Sequence, residues 1–156
     1  MKTHATFILT LLAAAVTPAS FGQTVEHRHD HAAGTGPVLV HFPQQLRDHT
    51  LANMRDHLSA LAEIQGYIAA HRYDSAAEIA EQRLGMSSLK LHGAHEVAKY
   101  MPQGMQDAGS AMHHAASKFA LTAQESAVDH DMGKSVAALA MLTQACVACH
   151  AAYRLR

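Results

Sequence analysis

The sequence predicts an all-α protein, an antiparallel up-down-up-down four-helix bundle, and three observations carry that prediction. From about Gln44 onward, apolar residues recur at helical spacings of three and four. Alanine is abundant, aromatics make up 5% of the chain and prolines number only 4, which favours helix because alanine loses no side-chain entropy there. The breaks between the periodic stretches are short, and short connections make neighbouring helices run antiparallel. No strand alternation of any length and no internal repeat competes with this reading.

The first element, residues 1–22, reads as a secretory signal peptide rather than as part of the fold. Lys2 supplies a basic start, Phe7 to Val16 is mostly apolar but too short to span a bilayer, and Pro18 and small residues follow. A cut after Gly22 removes Lys2 and no acid, so 12 basic and 13 acidic residues become 11 and 13, and the formal charge moves from −1 to −2. A balance this even does not suggest a nucleic-acid binder. Export places the chain outside the cytoplasm, in a periplasmic setting. Residues 23–43 then read as a flexible lead-in with Gly34, Gly36, Pro37 and Pro43. Its cluster of His27, His29 and His31 has the composition of a weak transition-metal binder, although no ordered surroundings for such a site are evident.

The bundle is expected over residues 44–156. Leu51, Met54, Leu58, Leu61 and Ile68 form the apolar stripe of a first helix. His71 to Asp74 breaks it, and Asp74 is placed to cap a second helix carrying Ala77, Ala80, Leu84, Leu91 and Val97. That helix is expected to run to Pro102, which lacks the amide donor needed to continue it. A third helix from about Met105 to Ser126 puts Met112, Ala116, Phe119 and Ala123 on one side. After "VDHDMGK", a fourth runs from about Lys134 to Tyr153 through Val136, Leu139 and Leu142. His92, His95, His113 and His114 are expected on solvated faces. Met86, Met101, Met105, Met112 and Met141 are expected as core filler.

Chemistry concentrates at the end of the chain. The 2 cysteines form "CVACH", Cys146 to His150. Two cysteines in an exported protein are ordinarily read as a disulfide, but C-x-x-C-H is the attachment signature of c-type haem. On a helix, Cys146, Cys149 and His150 are three and four apart and project to one side. Two thiols can then bond the haem vinyl carbons while the imidazole reaches the iron. A redox C-x-x-C usually opens a helix in a βαβ setting, and a structural zinc site wants about four ligands. Neither pattern is found here.

With "CVACHAAYR" at the C-terminus of a fourth helix and, more weakly, "LRDHTLANM" on the first, the chain resembles the class II cytochromes c, the cytochrome c′ family. The resemblance spans about Gln44 to Arg156 and implies one covalent haem c with His150 as proximal iron ligand. It also implies that Arg154, one turn beyond, lies near the proximal face, and that Arg47 pairs with a haem propionate. The first helix covers the other side of the iron in that family. Arg47, Leu51 and Met54 match an arrangement in which Leu51 faces a five-coordinate iron, yet Met54 lies almost one turn further along the same face and offers a sulfur as sixth ligand. Methionine ligation implies an electron carrier working with redox partner proteins. An apolar neighbour implies a protein that binds NO or CO. In either case no catalytic residue is expected, and the chain is not read as an enzyme. Family members also pair into homodimers through their first two helices. A reading of a different class, a periplasmic metal binder using His27, His29 and His31, gives the C-terminal motif another role.

Overall fold

The structure, a computed structural model, describes residues 36–156. The signal-peptide expectation and His27, His29 and His31 therefore lie outside the described residues. The described chain is mostly helical. A short strand β1 (Val38–Val40) is followed by α1 (Gln44–Ala69), α2 (Tyr73–Arg83), a single 3₁₀ turn at Met86–Ser88, and α3 (Ala94–Ala98). Two long helices, α4 (Gln103–Asp129) and α5 (Met132–Ala152), lead into a final strand β2 (Tyr153–Leu155). α1 packs on α2, α2 on α4 and α4 on α5, while α1 and α5 touch only sparsely.

The breaks fall where the sequence placed them. His71 (φ 57°) and His130 (φ 60°) both adopt the left-handed conformation just beyond α1 and at the end of α4. A helix cannot propagate through that conformation. Asp131 then starts α5 by accepting a hydrogen bond from the Lys134 amide at 3.0 Å. Asp74 behaves differently from expectation. It sits inside the first turn of α2 and makes no capping hydrogen bond, so its charge acts only on the helix dipole.

The second helix is much shorter than expected. It stops at Arg83, and the stretch to Pro102 is a 3₁₀ turn, a loop and the five-residue α3. Gly93 makes that path possible, because φ of +62° just before α3 suits a residue without a Cβ. Leu91, assigned to the core by the helical reading, is consequently 65% exposed, whereas Val97 is buried.

One core cluster joins Ala60, Ile64 and Ile68 of α1, Tyr73, Ala76, Ala77 and Ala80 of α2 with Leu84 just beyond it, Met112, Ala116, Phe119, Ala120 and Ala123 of α4, and Leu139 and Leu142 of α5. The α4 stripe matches the sequence reading residue for residue. The α1 stripe is rotated: Thr50, His57, Ala60, Ile64 and Ile68 face inward, while Leu58 is 67% exposed. Arg83 locks α1 to α2, bonding Asp56 through Nε at 3.1 Å and Glu63 through Nη1 at 2.7 Å. Those bonds hold both carboxyls below the ordinary carboxylate range.

The lead-in and the C-terminus meet in a two-stranded parallel ladder, Val38 opposite Tyr153, Leu39 opposite Arg154 and Val40 opposite Leu155. The expected flexible segment is thus tied down from Val38 onward. Val-Leu-Val suits a strand because branched side chains pack well on a pleated surface. Beneath it a second cluster gathers Val40, Phe42, Val97 and Met105 with Tyr153 and Leu155 at its edge. Gly104 admits this closure, since a Cβ there would run into the Tyr153 hydroxyl.

Candidate functional site

α5 positions the C-terminal motif. It is long and apolar enough to cross a membrane by composition, with mean hydropathy 1.5, yet only 17% of that stretch is buried. Val136, Met141 and Val147 are exposed, so Met141, like Met86, is not core filler. Near its end, Cys146 and Cys149 are half-buried and unpaired with each other. Cys146 packs at the edge of the main core with its sulfur 3.6 Å from the Leu142 carbonyl. Burial raises the pKa of both thiols, which keeps them protonated at neutral pH. His150 follows, exposed, in the last turn.

The residues after it do not continue the helix. Tyr153 still donates its amide to the Cys149 carbonyl, then turns to φ −135° and enters β2. Arg154 is therefore an exposed strand residue opposite Leu39 and not a helix residue one turn beyond His150. The need to close the second apolar cluster wins over helix propagation here.

The N-terminal half of α1 lines a cavity of about 250 Å³ with Thr50, Asn53, Met54 and His57, walled also by side chains of the 89–101 segment and of α4 and by none of α5. Met54 is among its lining residues and Leu51 is not, although both are half-buried. Arg47 is half-buried, and its Nε is buried with no hydrogen-bond partner among the described residues. A guanidinium nitrogen in that condition is an open position for an anionic oxygen.

The same cavity holds a feature the sequence reading missed. His57 of α1, His92 of the loop and His113 of α4 are 7%, 7% and 8% exposed, so His92 and His113 are not on solvated faces. His57 and His92 approach to 3.3 Å between their Nε2 atoms. Ring centroids lie 4.7 Å apart for His57 and His92, 5.4 Å for His92 and His113, and 6.3 Å for His57 and His113. Burial pushes His57 down to about 4, helped by His92 and His113, opposed by Asp56, and reinforced by His150. His92 and His113 are lowered too, chiefly by burial.

Part of this cluster was legible. His57, Ala60 and Ile64 step by three and four, as do His113, Ala116 and Ala120, so each histidine lies on its helix's buried stripe. His92 sits in irregular backbone and carried no periodic signal. Comparison with protein-family models, with curated proteins and with solved structures finds no match to this chain.

Proposed function

We propose that the chain is an exported c-type haem protein that transfers electrons. The observation that carries this reading is the pair of unpaired, half-buried thiols three residues apart on α5, followed directly by an imidazole. The donor set fits haem. Cys146 and Cys149 would hold it through thioethers, each S–H adding across a vinyl C=C with no atom lost, and His150 would offer a nitrogen to the iron. The unpartnered Arg47 Nε suits a propionate oxygen. When bound, haem supplies the one-electron ferric/ferrous couple, which the chain tunes through axial ligation and burial. No substrate bond is made or broken, and the physiological partners are other redox proteins. At about 250 Å³ the cavity is smaller than most ligand sites, which run from about 300 to 1,000 Å³, so it does not enclose a porphyrin by itself.

Of the two candidates on α1, Met54 faces open space and Leu51 does not, and we take the methionine sulfur rather than an open, gas-binding position as the sixth ligand. The exported protein is expected to give a low-spin absorption spectrum that carbon monoxide leaves unchanged, and Met54→Ala to convert it to a high-spin, carbon monoxide-sensitive one. A wild-type spectrum that is already high-spin and shifts with the gas would replace electron transfer with gas binding as the function.

A further inference from the structure

We propose that His57, His92 and His113 form a binding site for a divalent transition-metal ion of the zinc class, separate from the C-terminal motif. Hydrogen bonding already sets the tautomers that such a site needs at two of the three rings, His92 and His113. Ser88 spends its only hydroxyl proton on the Gly85 carbonyl at 2.7 Å, so its oxygen accepts from His92 Nδ1–H at 3.3 Å. The Leu84 carbonyl can only accept, so His113 Nδ1 is the protonated nitrogen at 2.7 Å. Both rings therefore carry a bare lone pair on Nε2, with the other nitrogen held by a backbone or hydroxyl oxygen. Metal-bound histidines are oriented in this way.

The spacing agrees. Two nitrogens at about 2.0–2.1 Å from a tetrahedral zinc are about 3.3 Å apart, and the Nε2 atoms of His57 and His92 are 3.3 Å apart. For the same geometry ring centroids fall about 5 Å apart, close to the 4.7 and 5.4 Å of the two pairs that include His92, while the 6.3 Å between His57 and His113 must shorten. Among the described residues no three donors already converge on one point. Closure requires His57 to move its proton from Nε2 to Nδ1 and His113 to turn about its bond to Leu84. The three imidazoles come from α1, a loop and α4, so a bound ion would cross-link three segments. Three neutral nitrogens beside a cavity suit zinc, copper or cobalt, with one coordination position left for a small ligand.

The test uses the full-length chain with His27→Ala, His29→Ala and His31→Ala, which removes the competing cluster in the lead-in. After equilibration with zinc ion alone and dialysis, elemental analysis is expected to find one zinc per chain. His92→Asn and His113→Asn keep a side-chain amide where Nδ1–H was, so the Ser88 and Leu84 bonds survive while Nε2 is lost. Each should weaken zinc binding at least as much as loss of an outer-shell partner does, about 10- to 100-fold. Circular dichroism should remain that of the parent. No zinc in the parent, or zinc retained undiminished in both variants, overturns the proposal. Haem retention, read separately on the same samples, reports on Cys146 and Cys149 alone.

Discussion

Replacing Phe119 with alanine should lower the free energy of unfolding by about 4 kcal/mol, the range for emptying a large aromatic site in a packed core. Phe119 is 0% exposed and sits on α4, the helix that packs on both α2 and α5. Its removal thus opens a cavity where two helix interfaces meet. Leu58→Ala is the informative contrast. The sequence stripe made Leu58 core, but it is 67% exposed, and exposed substitutions away from special features stay within about 0.5 kcal/mol. Urea unfolding of both variants against the parent checks the pair. Comparable losses at the two positions would mean that α1 presents the stripe read from sequence and not the rotated face described above.

The second large effect is on pH. His57 is held near 4 in the folded chain against an ordinary value of 6.5. Its folded-state value is depressed, so the unfolded chain binds a proton before the folded one does as the solution is acidified. Stability is therefore full above about pH 6.5 and falls as the pH drops from there toward 4, by roughly 3 kcal/mol for this residue. His92 and His113 shift the same way and steepen the loss. Denaturant midpoints of the metal-free chain between pH 7.5 and 4 measure this. His57→Gln should flatten the profile; a profile unchanged by that substitution would show that the cluster does not carry the acid sensitivity.

What was legible in the sequence follows from how strongly each feature repeats. In the α4 stripe Met112, Ala116, Phe119 and Ala123 read correctly because the four step by threes and fours along one face, and Ala120 and His113 join them there. On α1 the large residues Leu51, Met54 and Leu58 outvoted smaller Ala60 and polar Thr50 and His57, although the latter face the core. Burial there is decided by fit against α2, where Ala76, Ala77 and Ala80 allow close approach, and not by side-chain hydrophobicity. The break after Arg83 was hidden because Leu91, seven residues past Leu84, continues the helical spacing across a loop. The β1–β2 pairing joins residues more than a hundred positions apart, and no local pattern in either three-residue segment announces it. The C-terminal motif was visible in full, since Cys146, Cys149 and His150 are adjacent in sequence. Of the histidine cluster only His57 and His113 carried a periodic signal, and their meeting with His92 did not show, because the three come from distant segments.

The central claim is covalent haem, and the most direct measurement is the intact mass of the exported chain under denaturing conditions. Thioethers survive unfolding, whereas a haem held only by the iron is shed. The expected mass is that of the chain without residues 1–22 plus one haem, and the haem-free mass is expected for the chain with Cys146→Ser and Cys149→Ser. A wild-type chain recovered at its bare polypeptide mass, or two hydrogens lighter from a Cys146–Cys149 disulfide, would contradict it.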